Sequence, residues 1–386
     1  MRRGRQTMRI CVLGGGPAGL YFAYLWRKRH PGDSITLFEQ NAQDATFGFG
    51  VVFSDRAMDF LQTDDPETAV LIAARMESWN DIAIVHRGER VTIDGVGFSA
   101  IGRLDLLKLF QQLARSVGTD IEYGTSITST SVLREFDLVI AADGIHSFVR
   151  RSFEGDFGTS ISYLDEKFAW FGTTKPFETL TQTFIENAYG TFNAHHYRYA
   201  PAMTTFIVEC DRGTWLRAGF GRLDEESSRD LCQRIFADTL DGHRLIENKS
   251  VWRNFPWIWN RRWFHQNMVL VGDALRTAHY SIGSGTRLAI EDVIALVKSL
   301  EEHPKDLPEA LACYQAIRQP IVEKLVEASR ISAQWYAEFS SHMRLSPVEL
   351  AYSYVMRAGR INEARLRQTS PHFVRSLEEA REKPVK

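Results

Sequence analysis

The sequence predicts a two-domain α/β protein, in which a parallel-sheet domain is interrupted by a largely antiparallel β domain and followed by a helical region. Three observations support this fold class. An apolar run ends in glycines near the N-terminus, the middle third is rich in aromatic residues, and the chain after residue 287 has an almost wholly helical pattern. The 386 residues also suffice for two domains of roughly 150 residues each.

The first elements form a strand-turn-helix-strand unit. Residues 8–13 are a short apolar run, residues 17–29 have a helical pattern, and residues 34–40 return as a second strand. This order favours a parallel sheet with helices packed on its faces. The N-terminal residues 1–7 are basic and resemble the start of a signal peptide, but the glycines that follow would break its helix. We interpret them as a short tail.

The turn of this unit reads GGGPAG, which places Gly14, Gly16 and Gly19 in the G-x-G-x-x-G pattern. The three glycines permit a tight turn, a close approach of a pyrophosphate to the backbone, and close packing of helix on strand. The helix N-terminus attracts the phosphate charge. Glu39 ends the second strand near the position expected of a ribose-binding acid. We predict a Rossmann-like dinucleotide site formed by Gly14, Gly16, Pro17, Ala18, Gly19 and Glu39.

The next elements carry the chain towards a second motif. Residues 81–94 alternate around a Gly-Glu turn and predict a hairpin, and residues 102–117 predict a helix. A strand within residues 136–144 then ends in Asp143-Gly144, with Ser147 and Arg150 shortly after. An isolated Asp-Gly pair is most often only a turn.

Residues 165–265 have a β-rich and aromatic pattern, and a strand at 268–272 then delivers Asp273. Gly283-Ser284-Gly285 precedes a helix, so its N–H groups are available to an anion or a carbonyl-rich ring edge. We therefore divide the chain into a discontinuous nucleotide domain, a substrate domain and a C-terminal helical region. Their predicted bounds are 1–75, 95–164 and 266–300 for the first, 76–94 and 165–265 for the second, and 301–386 for the third.

Composition excludes several classes of function. Lys and Arg number 46 against 48 Asp and Glu, which leaves no basic face that would indicate nucleic acid or an anionic membrane. No apolar run approaches the ~20 residues of a membrane span, and we expect a soluble, cytoplasmic protein. The cysteines form no C-x-x-C pair, which argues against a disulfide framework or a metal site. They are Cys11, Cys210, Cys232 and Cys313.

Taken together and in this order, the three motifs resemble those of the class A flavoprotein aromatic hydroxylases, the family of p-hydroxybenzoate hydroxylase. The resemblance covers nearly the whole chain. It implies that GGGPAG binds the ADP half of FAD, with Glu39 on the adenosine ribose. It also implies that Arg103 lies near the FAD phosphates, that Asp143 belongs to the FAD and NAD(P)H-related part of the site, and that Asp273 binds the ribitol and pyrophosphate region. The backbone of Gly283, Gly285 and Thr286 would face the flavin N1 and C2 carbonyl.

The third motif departs from the family pattern at Arg276, at His279-Tyr280 and at Thr286. These positions, with segments such as WFGT at 170–173, resemble a narrower subgroup. It contains salicylyl-CoA 5-hydroxylase, the monooxygenase part of 2-aminobenzoyl-CoA monooxygenase/reductase, and the tryptophan hydroxylase of the violacein pathway. The resemblance implies that NADPH or NADH reduces FAD and that O2 forms a C4a-hydroperoxyflavin, which hydroxylates an electron-rich aromatic ring. The substrate would be an aryl-CoA or carrier-bound aryl thioester, or alternatively a free indolic compound.

Four side chains are candidates for the substrate pocket. His195 and Tyr197 lie on one face of a predicted strand, with His196 on the other face, although a histidine in a sheet is more often part of the core. His279 and Tyr280 flank the glycines that would bind the flavin ring. We expect a monomer or homodimer.

Other functions remain open at this point. Flavin-dependent halogenases share the FAD fold and carry W-x-W-x-I-P; here Trp257 and Trp259 are followed by Asn260-Arg261, so we interpret the tryptophans as packing residues. A flavin dehydrogenase without oxygen chemistry and a non-enzymatic flavin-binding regulatory protein are the remaining alternatives.

Overall fold

A computed structural model describes residues 7–54 and 59–382. Residues 1–6 of the predicted basic tail lie outside this range. Within these ranges there are seventeen strands: β1 Arg9–Leu13, β2 Ser34–Glu39, β3 Gly50–Ser54, β4 Glu77–Trp79, β5 Ile82–His86, β6 Glu89–Ile93, β7 Phe98–Gly102, β8 Asp120–Tyr123, β9 Leu138–Ala141, β10 Thr159–Thr173, β11 Leu180–Asn187, β12 Gly190–Ala200, β13 Met203–Cys210, β14 Leu245–Ile246, β15 Arg253–Asn260, β16 Phe264–His265 and β17 Met268–Leu270.

Sixteen α-helices are present in the described residues. They are α1 Pro17–Arg29, α2 Asp59–Asp64, α3 Pro66–Ala73, α4 Arg103–Ser116, α5 Thr130–Leu133, α6 Phe148–Ser152, α7 Glu154–Phe157, α8 Arg212–Arg217, α9 Glu225–Ile235, α10 Ala237–Leu240, α11 Gly285–Glu302, α12 Leu307–Ala337, α13 Phe339–His342, α14 Pro347–Met356, α15 Glu363–Thr369 and α16 Pro371–Glu382. Among the described residues, no helix is both long and apolar enough to cross a membrane.

A six-stranded sheet holds the predicted nucleotide motifs, in the order β16-β17-β9-β1-β2-β8. All neighbours in it are parallel except the β16–β17 hairpin. Every residue of β9 is buried, as expected for a parallel strand covered on both faces. Helix α1 packs between α4 and α11, which brings the first and third motifs to the same edge of the sheet.

A second sheet of eight strands follows the order β14-β10-β13-β12-β11-β5-β6, with β15 also paired to β10. It is antiparallel apart from the β5–β11 pair. One face carries an apolar cluster that includes Phe171, Phe206 and Phe220. The opposite face packs against the C-terminal helices, where Ile84 belongs to one cluster with Trp335. The predicted mixed α/β architecture, with a parallel and a largely antiparallel sheet, is confirmed.

The structure corrects one detail of the sequence interpretation, the hairpin turn, and shows that one predicted domain boundary lies within a strand. The hairpin turn is centred on Arg87 and Gly88, which both have positive φ, rather than on Gly88 and Glu89. Such a two-residue turn matches the twist of the flanking strands. The predicted boundary between residues 164 and 165 falls inside β10, because the first half of this long strand already pairs with β15.

Candidate active site

The three glycines of the G-x-G-x-x-G motif differ in the space around them. Gly14 has a φ of +101°, and a Cβ there would lie 2.4 Å from the Ala142 carbonyl oxygen. A Cβ on Gly19 would lie 2.1 Å from the Gly14 carbonyl oxygen, so the helix meets the strand without room for a side chain. A Cβ on Gly16 has nothing within 4 Å. Gly14 and Gly19 are therefore required by the packing of the turn, because a side chain at either position would clash with the backbone. Gly16 instead faces free space at the helix N-terminus, next to Pro17 and Ala18.

Glu39 lies directly beside this turn. Its carboxylate accepts a hydrogen bond of 2.6 Å from the Gly15 backbone N–H and one of 2.7 Å from the Asn41 N–H. The acid at the end of β2 is thus held at the mouth of the glycine turn, where a ribose attached to a bound pyrophosphate would lie.

The Asp-Gly motif is tied to the third motif by Arg150. Its guanidinium is buried and donates a hydrogen bond of 2.8 Å to the Ala274 carbonyl oxygen. Asp143 accepts a hydrogen bond of 2.6 Å from the Phe148 N–H, and burial raises the pKa of its carboxyl group. The conformation after β17 therefore depends on a side chain from the segment that follows β9.

Gly272 lies where the third motif packs closely against helices α1 and α11. A Cβ at this position would lie 3.4 Å from the Ala18 Cβ and 3.5 Å from the Ala289 Cβ, which are in α1 and α11. Asp273 follows with an exposed side chain. Arg103 is close enough for the Asp273 carboxylate to oppose the lowering of its pKa by burial. The predicted phosphate-side arginine and the predicted ribitol-side aspartate thus share one groove.

Helix α11 presents an open N-terminus to the same groove. Gly283 has a φ of +60°, and a Cβ on Gly285 has nothing within 4 Å. Ser284 is the N-cap residue but makes no side-chain capping hydrogen bond. The first N–H groups of an 18-residue helix, including that of Thr286, are therefore available to an electron-rich ring edge.

Arg276, which departs from the family pattern, points away from this groove. Its guanidinium lies 2.6 Å from Asp292, and Arg318 lies 3.2 Å from the same carboxylate. All three side chains are buried. The substitution therefore anchors the third motif to α11 and α12 and makes no contribution to the surface of the groove.

On β12, His195 and Tyr197 lie on the face of the large sheet that packs against the C-terminal helices. The Tyr197 hydroxyl donates a hydrogen bond of 2.9 Å to the Gly50 carbonyl oxygen on β3, so this tyrosine docks the large sheet on a small third sheet of β3, β7 and β4. His195 has no hydrogen-bond partner on either ring nitrogen among the described residues, and burial lowers its pKa to about 3. His196 faces the opposite side, with its ring 5.2 Å from that of Phe206.

His279 and Tyr280 form the wall between α11 and the large sheet. His279 Nδ1 lies 2.8 Å from the Ser281 hydroxyl, and burial lowers the pKa of this histidine to about 3. Its ring lies 4.2 Å from that of Tyr280 and 4.8 Å from that of Phe255. The two residues are thus held rigidly beside the glycines that precede α11.

The sequence analysis did not predict several buried polar residues that lie on the same face of the large sheet as His195. Gln182 Oε1, Asn193 Oδ1 and Glu209 Oε2 have no hydrogen-bond partner among the described residues. With His195 they form a group that we call the polar face. Its members are buried neighbours across strands, since Asn193 pairs with Glu209 and His195 with Gln182. Unpaired buried polar atoms are costly, so their clustering indicates a ligand site. Glu209, a lone acid in the apolar strand TTFIVEC, was the available signal.

The two tryptophans of the halogenase comparison have a plain structural position, and the structure adds one group of potential metal ligands that the sequence analysis did not predict. Trp257 and Trp259 lie on β15, and the Trp257 ring is 5.1 Å from that of Phe255, which agrees with a packing role. Glu302, His303 and Cys313 bring three potential metal-ligand atoms within 4.8 Å of one another at the far end of α11. This group is partly exposed and distant along α11 from the open N-terminus.

The groove as a whole fits FAD. Gly16 leaves space at one helix N-terminus for a pyrophosphate, and Gly285 leaves space at a second for a flavin ring. Between these ends lie Arg103 and Asp273, whose charges suit phosphate and hydroxyl groups. The buried Ser284 hydroxyl, which has no partner among the described residues, is free to bind at the ring end.

Comparison with known proteins agrees with this geometry. Residues 7–329 match the model of the FAD binding domain family. Salicyloyl-CoA 5-hydroxylase from a Streptomyces species is 37% identical over 91% of this chain and 70% of its own length. A 3-hydroxy-4-methyl-anthranilyl-(aryl-carrier protein) 5-monooxygenase from Streptosporangium sibiricum is 36% identical over 85% of this chain and 89% of its own. Protodeoxyviolaceinate monooxygenase from Chromobacterium violaceum is 30% identical over 91% and 94%, respectively.

Solved structures show the same fold at low sequence identity. The tetrameric form of 2-methyl-3-hydroxypyridine-5-carboxylic acid oxygenase has a TM-score of 0.71 and 16% identity, over 91% of this chain and 98% of that chain. A probable FAD-dependent monooxygenase from Pseudomonas aeruginosa has a TM-score of 0.66 and 20% identity, over 88% and 99%. The resemblance to this group of aromatic hydroxylases that the sequence indicates is thus confirmed.

Proposed function

The chain belongs to the FAD binding domain family and is an FAD-dependent aromatic monooxygenase, and on that premise we propose that it hydroxylates an aromatic ring carried as an acyl thioester. NADPH or NADH is the proposed reductant and O2 the proposed oxidant. Bound FAD supplies the redox chemistry, accepting the electrons of the nicotinamide and delivering them to oxygen.

The similarity to two thioester-acting enzymes carries the proposal. One of them is named for a CoA thioester and the other for an aryl group on a carrier protein. The two similarities extend over 91% and 85% of this chain. The common chemistry is an aromatic acyl group on a phosphopantetheine thiol, and we propose this as the substrate class.

The chain's own residues position the two ligands. We propose that Gly16 receives the FAD pyrophosphate, that Glu39 binds the adenosine ribose, and that Asp273 binds the ribitol. The N-terminus of α11 would offer partial positive charge to the flavin ring and would stabilise negative charge that develops on it. The aromatic ring of the substrate lies on the polar face of the large sheet, beside the hydrogen-bonded pair formed by Tyr280 and Glu209.

Exclusion of water is the second task of these residues, because activated oxygen is lost as H2O2 when the site is wet. The rings of Phe255, Trp257 and Tyr336 lie within 6.2 Å of that of His279. They surround this end of the groove with apolar surface. We propose that this cover keeps NAD(P)H oxidation coupled to hydroxylation.

The test is substrate-stimulated oxidation of NADPH and NADH by the purified holoprotein. Salicylyl-CoA and 2-aminobenzoyl-CoA are compared with their free acids, and the same acyl groups are offered on a phosphopantetheinylated carrier protein. We expect the thioesters alone to stimulate oxidation and to acquire ¹⁸O from labelled O2. The CoA and carrier arms distinguish the two sources of the thioester.

Other outcomes would favour other functions. Stimulation by tryptophan or another free indolic compound alone would contradict the thioester and support the indolic alternative. Oxidation without ¹⁸O in any product would instead indicate a dehydrogenase. A protein with intact FAD that responds to none of these compounds would contradict the proposed function and favour a regulatory flavoprotein.

A further inference from the structure

Glu209 is a carboxylate in the middle of a buried strand, with one oxygen bound and the other free. Its Oε1 accepts a hydrogen bond from the Tyr280 hydroxyl, and its Oε2 has no partner among the described residues. The side chain is only 5% exposed. Because an unpaired buried carboxylate oxygen is costly, this atom indicates a ligand that donates a hydrogen bond to it.

The surroundings of Glu209 favour its protonated form without preventing its ionisation. Burial raises its pKa to about 7, with Glu166 adding to the rise and Tyr280 and Arg357 opposing it. The ionisable groups that face it come from several elements. They are Glu166 on β10, His195 on β12, His279 and Tyr280 before α11, Tyr336 on α12, and Arg357 after α14.

The position of Glu209 connects the two halves of the site. Tyr280 begins the 3-10 turn that leads to Gly283, and its ring lies 4.9 Å from that of Phe168, the β10 partner of Glu209. His195, which also lacks a partner, lies on the neighbouring strand and on the same face. A ring held against Tyr280 would therefore present a substituent to Glu209 Oε2.

We propose that Glu209 is the base that accepts the proton of a hydroxyl group on the aromatic substrate. This inference rests on the proposed function and narrows its substrate class to rings that carry such a hydroxyl. The O–H bond breaks, the proton passes to Oε2, and the electron pair stays on the substrate oxygen, where it enriches the ortho and para carbons. After oxygen transfer, the attacked carbon loses its hydrogen as a proton to solvent, the electron pair of that C–H bond restores the aromatic ring, and Glu209 returns its proton to the former phenolate oxygen.

Glu209→Gln tests the proposal, because it keeps the shape and the acceptor for Tyr280 but cannot take a proton. With salicylyl-CoA we expect kcat to fall by about 10²- to 10⁴-fold, the usual range for a general base. We also expect the wild-type kcat to fall below a pH of about 7 and the variant to lose this pH dependence. Bound FAD should be retained. Glu186→Gln, at an exposed carboxylate on β11, is the matched control and should keep the wild-type profile.

A binding measurement makes the test independent of turnover. The absorbance of bound salicylyl-CoA distinguishes phenol from phenolate, and we expect phenolate in wild type at pH 8 and phenol in Glu209→Gln. Tyr280→Phe removes a hydrogen bond that favours the ionised carboxylate, so it should move the wild-type pH limb upward. This variant also serves if Glu209→Gln fails to fold.

Four results would overturn the proposal. An unchanged pH profile in Glu209→Gln, phenolate bound equally well by that variant, or no shift in Tyr280→Phe would each show that Glu209 does not take the proton. Conversion of 2-aminobenzoyl-CoA without any conversion of salicylyl-CoA would also contradict it, while leaving the proposed function intact. Failure of every thioester would instead reject the proposed function itself.

Discussion

The guanidinium of Arg276 donates a hydrogen bond of 2.6 Å to the carboxylate of Asp292, and both side chains are buried. The same guanidinium donates to the Gly272 carbonyl oxygen at 2.9 Å. The pair joins the turn that carries Asp273 to the body of α11. Because α11 also presents its N-terminus to the flavin end of the groove, one buried ion pair sets the distance between two parts of the cofactor site.

Removal of this carboxylate is expected to be strongly destabilising. Asp292→Ala leaves the buried guanidinium groups of Arg276 and Arg318 without their shared partner, and breaking a buried pair in this way costs about 3–5 kcal/mol. Urea unfolding of the apoprotein measures the loss. Arg381→Ala removes a partly exposed pair with Glu349 and should have a much smaller effect, as surface ion pairs do. Similar losses in both variants would contradict this expectation.

Substitutions of Gly14 and Gly16 are expected to distinguish an effect on folding from an effect on FAD binding. Gly16→Ala adds a Cβ with nothing within 4 Å, so the apoprotein should keep its unfolding midpoint while FAD affinity falls. Gly14→Ala adds a Cβ 2.4 Å from a carbonyl oxygen at a φ of +101°, so the apoprotein itself should be destabilised. Flavin retention and apoprotein unfolding are measured for both. Normal FAD binding by Gly16→Ala would show that no phosphate lies there.

His279→Ala is expected to keep FAD but to uncouple the reaction. The histidine contacts no predicted phosphate-side residue, whereas its ring packs on Phe255 and Tyr280, so its loss opens a space for water beside the ring site. We expect less hydroxylated product and more H2O2 per NAD(P)H oxidised. An unchanged product yield per NAD(P)H would exclude this role. Since burial lowers the His279 pKa to about 3, the effect should not vary between pH 6 and 9.

Glu209 is also expected to make stability depend on pH. Its pKa is raised from 4.5 to about 7 in the folded protein, so the folded state binds this proton more tightly than the unfolded state. The resulting stabilisation is complete below pH 4.5 and is lost as the pH rises through 7. Relative to wild type, Glu209→Gln should therefore gain about 3 kcal/mol between pH 5 and 8, at 1.36 kcal/mol per pKa unit. Urea titrations across this range test the sign, and a constant difference would contradict it.

Local patterns were enough to predict the first motif and its helix. Residues 17–29 were expected to be helical, and α1 spans Pro17–Arg29, because proline at its start and glycines before it define the boundary. The hairpin around Gly88 was predicted one residue away from its true centre. A positive φ is uncommon for arginine, so the sequence alone does not indicate that Arg87, rather than Glu89, shares the turn with Gly88.

The polar face was harder to predict because it depends on pairing between distant strands. His195 and Tyr197 were correctly assigned to one face by the period of two, but the hydrogen bond of Tyr197 to Gly50 joins residues 147 positions apart. Glu209 and Gln182 become neighbours of His195 and Asn193 only through the order β13-β12-β11. The residue pattern within one strand does not indicate which strands are neighbours. The only sign of the polar face in the sequence was Glu209, a single acid in an apolar strand.

The two faces of the large sheet have a consequence for engineering and for divergence. Positions such as Ala194, Phe206 and Val208 maintain the apolar layer beneath the sheet, whereas Gln182, Asn193, His195 and Glu209 point to the opposite side. Alternate positions along the same strands thus have different roles: one set stabilises the fold, and the other contacts the ligand. A library restricted to Gln182, Asn193 and His195, with Glu209 kept, should yield new substrate preferences without loss of expression, because it leaves the strand register and the cofactor groove untouched.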